Sequence, residues 1–429
     1  MTKWTNWVYG WTKEPKRQEQ AFSNAGRNQL DQGQTELSYP MTRSAPFNPP
    51  DDYADLRERE PFARVRLWDG THPYLLTKYA DIRAVLSNPR FSCEPNREGF
   101  PHVFEGRMVA DKADRSFLRL DNPEHDRLRR MVTREFTVKK IEQLKPLIQE
   151  TVDRLITTYT SLPQGADLVE HFSGPLPTEI ITFLLGIPYQ DHEFFHEATR
   201  IQFGSKSTPA QVRKSLDDLF AYLDALISRK EAEPQDDIVS RLVTEQLKPG
   251  HVDRLTLINI VRLLLSAGHQ TTQNMTALGV LTMLQHPDQL ALIKSKPELV
   301  PAAVEELLRF SSILHVGARR VALEDIDVNG SLVKAGEGVI CSIPAANRDP
   351  ELFPDPDKFD VQRDAAGHVA FGFGVHQCLG QVLARAELQI VYLTLFNRLP
   401  NLRLAVPFEK LRFRHDMFVY GVHELPLAW

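Results

Sequence analysis

The chain has 429 residues, 42% of them hydrophobic, and a formal net charge of −5 at pH 7. A mildly acidic chain without a long basic run gives no footing for a nucleic-acid partner, and no stretch reaches the roughly 18 uninterrupted apolar residues of a membrane-spanning helix. Three scattered cysteines, Cys93, Cys341 and Cys378, make no disulfide framework and suit a reducing compartment, here taken as the cytoplasm.

Taken in order, Trp4, Trp7, Val8 and Trp11 recur at helical spacing beside Lys3, Lys13, Lys16 and Arg17. The stretch lacks the apolar core of a signal peptide. It reads as a disordered or self-packing extension, with a weak interfacial helix or an organelle-targeting segment as alternatives. Gln18 to Gln34 is polar and linker-like. Residues 1–39 are accordingly set apart as an extension, and 40–429 as the folded unit. Asp51 to Glu60 reads as a short helix stopped by Pro61. Arg64 to Leu67 and Tyr74 to Thr77 flank Asp69-Gly70, a hairpin signal, and Asp81 to Leu86 reads as helix. Asn88 to Ala113 contains three prolines and no sustained periodicity, so it is expected to be irregular.

Asp121-Asn122-Pro123-Glu124-His125 opens the next helix, with Asp121 or Asn122 as cap and Pro123 in the first turn. His125 and Arg129 lie four apart on one face, while Arg127 and Arg130 point elsewhere. Helical patterns follow from Val138 to Thr160, Pro177 to Leu185 and Pro209 to Glu233. The longest runs from Asp253 to Gln285, on the order of 50 Å at 1.5 Å per residue. It is apolar nearly all round from Leu255 to Ala267 and should be buried. Its middle reads Ala267-Gly268-His269-Gln270-Thr271-Thr272. Glycine costs about 1 kcal/mol against alanine in a helix, and a threonine hydroxyl can bond the preceding turn and bend it. Such a weak point in a buried helix is a candidate functional groove. Glu306 and Arg309, three apart on a helix starting near Pro301, face each other and can form a hydrogen-bonded pair. Ile326 to Val339 alternates around Asn329-Gly330 and Ala335-Gly336, reading as hairpins.

The most informative stretch is Phe371-Gly372-Phe373-Gly374-Val375-His376-Gln377-Cys378-Leu379-Gly380, followed by an apolar helical run from Leu379 to Leu395. Its glycines let the backbone turn tightly, and its thiol stands where a loop enters a helix, a place that favours thiolate. A thiolate held this way suits a haem that activates dioxygen. The plainer alternative is a buried free cysteine in a glycine-rich turn.

The spacing Phe-Gly-x-Gly-x-His-x-Cys-x-Gly decides between them, because it resembles the haem-binding loop of the cytochrome P-450 superfamily at all six fixed positions. The resemblance implies a mainly α fold with small β-sheets, a single domain holding haem b between the long central helix and the helix after the cysteine loop. It makes Cys378 the iron ligand, with Phe371 beside its sulfur and Gly380 letting the next helix lie close to the porphyrin. His125, Arg129, Arg320 and His376 become the anchors of the haem propionates. Thr271 takes the place of the threonine that hydrogen-bonds dioxygen on the distal face, and Gly268 would leave room for that ligand. Glu306 and Arg309 match the superfamily's Glu-x-x-Arg, which locks onto a later arginine, here Arg363. Asn88 to Ala113 would cover the substrate pocket, Phe194 to Ser207 would form its mobile roof, and Ser311 to Val316 with His415 to Gly421 its last walls.

One departure stands out. The residue before the groove threonine is usually acidic, and here it is Gln270, an amide that hydrogen-bonds but does not relay protons. Water held by Thr271, Gln270 and His269 could serve in its place. Thr244 to Gly250 and Gln285 to Leu290 look most like the soluble fungal nitric oxide reductases, relatives of soluble actinobacterial monooxygenases. Yet the groove, the stretch Ser92 to Arg97 and Val419 depart from that branch. The reading is a haem-thiolate monooxygenase using dioxygen on a small organic or secondary-metabolite substrate. Its electrons would come from NAD(P)H through a ferredoxin or flavoprotein reductase. The alternatives are nitric oxide reduction driven directly by NAD(P)H, and a haem-based gas binder without turnover.

Overall fold

A computed structural model of the chain describes residues 36–43 and 45–429, so the tryptophan-bearing N-terminal stretch and the linker lie outside the described residues. Helices dominate where the apolar spacing is helical. In chain order they are α1 (Asp52–Arg59), α2 (Tyr79–Ser87), α3 (Glu105–Ala113), α4 (Glu124–Thr133), α5 (Val138–Thr160), α6 (Pro175–Leu185) and α7 (His192–Phe203). Then come α8 (Pro209–Ala232), α9 (Ile238–Leu242), α10 (Arg254–Gln285), α11 (Pro287–Ser295), α12 (Val300–Ser311), α13 (Ile343–Ala346) and α14 (Gln381–Arg398). Leu37–Trp429 form one compact unit.

The 32-residue α10 is the axis of the fold. The Asp253 carboxylate caps it by accepting from the Thr256 amide at 2.7 Å. It packs against α6, α8, α12 and α14, and this contact on every side is why its sequence is apolar all round. Its residues Leu257 to Leu265 join α5, α6 and α14 in one hydrophobic core.

The sheets are small. β1 (Phe62–Arg64) pairs antiparallel with β2 (Tyr74–Leu76) across the expected Asp69-Gly70 turn, and Gly70 has φ +79°. β3 (Phe91–Ser92) and β4 (Ala318–Ala322) lie at the other edge of the same sheet, and β5 (Ile326–Val328) with β6 (Ser331–Val333) forms the hairpin around Asn329-Gly330. The second expected hairpin does not form. β7 (Gly338–Cys341) leaves β6 at Ala335-Gly336 and enters the middle of the five-stranded sheet, parallel to β2 and antiparallel to β4. The gain is burial: all four β7 residues are fully covered there. β8 (Arg403–Leu404) and β9 (Leu427–Ala428) close the chain end.

The stretch Asn88 to Ala113 is also more ordered than expected. It holds β3 and the nine-residue α3. The buried side of α3 carries Arg107 and Asp111. Its inward face is therefore charged, and an apolar stripe could not reveal it. The Asp111 carboxylate accepts from Arg107 at 2.9 Å, Arg119 at 2.8 Å and Arg319 at 2.6 Å, and these charges hold it well below the usual carboxylate range despite its burial.

Candidate active site

The cysteine loop is shaped by two glycines in the left-handed region, Gly372 at φ +72° and Gly374 at +74°. Gly374 is needed twice over, because a Cβ there would stand 2.5 Å from the Leu86 carbonyl at the end of α2. The Cys378 amide closes the loop by donating to the Phe371 carbonyl at 2.8 Å. Gly380 then serves as the backbone cap of α14, and a Cβ on it would meet nothing within 4 Å. Open space thus lies where the helix starts.

Cys378 is half-buried. Burial raises its thiol above the ordinary value, opposed by the Gly380 amide and by the Arg129 and Arg385 charges. The helix start alone does not make a thiolate here, whereas a metal cation at the sulfur would displace the proton. The Arg385 guanidinium lies 4.6 Å from the Phe371 ring centre and forms an ion pair with Glu305 at 2.7 Å. His368 stands 3.2 Å from the same carboxylate. Burial pushes Glu305 up, but hydrogen bonds from His368 and Arg385 outweigh it and bring it down to about 2. Arg385 and Glu305 were not foreseen, since nothing local in the sequence ties α12 to α14.

The four expected anchors converge. The His125 and His376 rings are 4.1 Å apart. Arg129 donates from Nη2 to the Gln377 carbonyl at 2.7 Å, and Arg320 from Nη1 to the Arg319 carbonyl at 2.8 Å. His125 is fully buried with Nδ1 2.8 Å from the Phe117 carbonyl and Nε2 3.0 Å from the Val375 carbonyl of the cysteine loop. A neutral imidazole donates to only one of them. Of the two expected caps of α4, Asn122 accepts from the first-turn Asp126 amide at 3.2 Å, while Asp121 accepts from the Cys93 amide at 3.0 Å and the Ser92 hydroxyl at 2.5 Å.

These groups fit a doubly anionic cofactor edge. Neither Arg129 nor Arg320 has a carboxylate partner among the described residues, and Nδ1 of His376 is buried without a partner. Burial, then Arg320, His125, Arg129 and Arg119, pull His376 down to about 2, so the local potential is strongly positive. Buried cations without counter-charge are costly, and two propionates would supply it.

On α10, Ala267 and Thr271 are exposed in the middle of a helix buried on its other faces. Being four apart, they share one side, and that side is open. The Thr271 hydroxyl donates to the Ala267 carbonyl at 2.7 Å, leaving its lone pairs free. Ala267 is the small residue on this face. Gly268, half-buried beside it, would carry a Cβ 3.2 Å from Ile181 of α6, so its smallness also serves helix packing. His269, opposite Thr271 around the helix, is buried against the His196 ring of α7 at 5.5 Å. Burial, then the His196 and Arg414 charges, lower it to about 3. Gln270 is buried, and its Oε1 has no partner.

Glu306, Arg309 and Arg363 are brought together. Arg309 donates to both Glu306 oxygens at 2.6 and 2.8 Å, and Arg363 to Oε1 at 3.3 Å. Arg309 and Arg363 also reach carbonyls between Asn347 and Lys358, pinning the segment that leads to the cysteine loop.

The cytochrome P450 family profile matches residues 294–401. Cytochrome P450-SU2 of Streptomyces griseolus is 50% identical over 395 residues, covering 92% of this chain and 97% of that protein. The chain belongs to the cytochrome P450 family. Pentalenic acid synthase of Streptomyces avermitilis is 46% identical over 396 residues, covering 92% of this chain and 97% of that one. Among solved structures, the mycinamicin VIII C21 methyl hydroxylase MycCI of Micromonospora griseorubida aligns with a TM-score of 0.87 and 39% identity, over 92% of this chain and all of the other. The mainly helical architecture is thus that of the P450 fold, and the chain is a haem-thiolate monooxygenase, an oxidoreductase. The expected nearness to the fungal branch gives way to the actinobacterial one: cytochrome P450 55A3 of Fusarium lichenicola is 39% identical over 403 residues, against 50% and 46% for the two Streptomyces relatives. No helix among the described residues is long and apolar enough to cross a membrane, and nothing supports an organelle-targeting role for the N-terminus.

Proposed function

We propose that this P450 oxidises a small secondary-metabolite substrate in the cytoplasm. Its electrons would pass singly from NAD(P)H through a ferredoxin or flavoprotein reductase. Residues 40–429 form its catalytic unit and 1–39 an extension. The observation that carries the reading is the pairing of an open α10 face at Ala267 and Thr271 with a half-buried Cys378 beside an unbalanced cluster of cations. The secondary-metabolite class is supported by relatives named for pentalenic acid and mycinamicin chemistry.

Cys378 would hold haem iron, Gly380 would leave the porphyrin its space, and His125, Arg129, Arg320 and His376 would hold the propionates. When bound, the haem supplies dioxygen activation, which a thiolate ligand favours by pushing electron density toward O–O cleavage. His125 holds the loop carbonyl at Val375 and keeps His376 in place. Glu306, Arg309 and Arg363 brace the segment behind the loop, and Phe371 with Arg385 shields the sulfur side. The Thr271 hydroxyl orients water in the groove and passes a proton from it, while Gln270 can only hold that water. Arg127 and Arg130, on the exposed side of α4, would meet an electron donor.

The test supplies dioxygen, NADPH, a ferredoxin and its reductase with a panel of macrolide and terpenoid substrates. Oxygenated product that requires the partner proteins is expected. Partner-free consumption of NADH with nitric oxide and without dioxygen would overturn the reading.

A further inference from the structure

Three segments of chain meet at one sulfur. The Cys93 thiol follows β3 and is almost fully buried at 1% exposure. Its amide is tied to Asp121 at 3.0 Å, so its backbone is fixed against the loop that leads into α4. Its Sγ lies 3.3 Å from the Leu120 carbonyl and 3.3 Å from Nε2 of His376. Among the described residues, Cys93 is the one hydrogen-bond partner of that nitrogen. At the other end of the imidazole, Nδ1 is buried with no partner.

A neutral imidazole carries one proton, and its two nitrogens play opposite roles. If Nε2 donates to sulfur, Nδ1 is a bare lone pair and repels a carboxylate. If Nε2 accepts from the thiol, Nδ1–H is a donor. The thiol can direct its proton to either the Leu120 carbonyl or Nε2, and burial keeps it protonated by pushing Cys93 up to about 12. An anion beside Nδ1 selects the second arrangement.

We infer that Cys93 is a positioning residue for haem: its S–H donates to Nε2 of His376 and so sets Nδ1–H toward a propionate. The inference rests on the reading of His376 as a propionate anchor.

The experiment follows transfer of haem from the ferric holoprotein to excess apomyoglobin, for wild type, Cys93→Ala, Cys93→Ser and His376→Ala. Loss of one neutral hydrogen bond predicts about 3- to 10-fold faster haem loss for Cys93→Ala. Cys93→Ser, which keeps a donor, should stay within about twofold of wild type on the same scale. In the diamagnetic ferrous carbonyl form, long-range ¹⁵N–¹H correlations should show His376 protonated at Nδ1 in wild type and Cys93→Ser. In Cys93→Ala they should show it shifted toward Nε2–H. Unchanged haem loss in Cys93→Ala overturns the inference, as does a serine variant that loses haem as fast as alanine, which would mark a packing role. If His376→Ala retains haem at the wild-type rate, the anchor reading itself fails and this inference falls with it.

Discussion

At Cys378 the sequence suggests a thiolate prepared by a helix start, whereas burial in the structure raises the thiol, with one amide and two guanidinium groups opposing it. On the proposed reading, the charge that completes the site comes from the haem iron. Cys378→His should therefore abolish the red-shifted Soret band of the thiolate-ligated ferrous carbonyl, read by difference spectroscopy. Survival of that band would place the ligand elsewhere. Thr271 and Gln270 divide the work of the groove. Thr271 carries its hydroxyl on the open side of α10, and Gln270 is a buried amide with a free oxygen. On the proposed reading, removing the hydroxyl takes away the group that would pass a proton from groove water. Thr271→Ala should lower product per NAD(P)H by about tenfold, equivalent to about 1.4 kcal/mol, with peroxide replacing product. Gln270→Glu should hold or raise that ratio, since a buried carboxyl can take up and release protons. A ratio unchanged in Thr271→Ala would remove the hydroxyl from the proton path.

Among the elements, the cysteine loop separates glycines that serve the fold from those that serve the cofactor. Gly374 combines a positive φ with a backbone oxygen at 2.5 Å from any Cβ, whereas Gly380 faces open space. Gly374→Ala should cost roughly 1–3 kcal/mol in chemical denaturation of the haem-free chain. Gly380→Ala should leave that midpoint unchanged yet weaken haem uptake. The α12 brace is expected to be more costly still. Glu306→Ala strands Arg309 and Arg363 without their carboxylate and should cost about 3–5 kcal/mol, read as a loss in urea midpoint. The same elements show what the sequence could reveal. Phe371 to Gly380, the uncapped weak point at Gly268 to Thr272 and the Glu306–Arg309 spacing are local patterns, and each stands where its spacing places it. What stayed hidden depends on distant partners. α3 was missed because its buried side is made of charges answered by Arg119 and Arg319 from elsewhere in the chain. β7 left its hairpin for a strand formed some 260 residues earlier, beside Tyr74 to Leu76. The contact of Cys93 with His376 and the closeness of Gly268 to Ile181 likewise depend on distant segments.

For the whole molecule, buried titratable groups set how stability varies with pH. His269 and His315 are both lowered from 6.5 to about 3 by burial, then by neighbouring cationic or imidazole groups. A base with a depressed folded value contributes stability above its unfolded value that is lost as pH falls below about 6.5 toward 3. Glu387 on α14 works on the other limb. It is buried in the main core with Oε2 unpartnered, and burial alone raises it from 4.5 to about 8. An acid with a raised folded value is neutral in the native state while its unfolded counterpart ionises, so stability present below pH 4.5 is lost progressively up to about pH 8. Each tenfold change in proton affinity is worth about 1.4 kcal/mol, so the loss amounts to a few kcal/mol. Glu387→Gln keeps the shape and removes the titration. Its urea midpoint, measured between about pH 6.5 and pH 8, should stay nearly level over the range in which the wild-type midpoint falls, while both share the decline that the histidines cause below about pH 6.5. Parallel curves across that range would mean that Glu387 meets a compensating partner, such as a buried water or cation, and is not the group that limits alkaline stability.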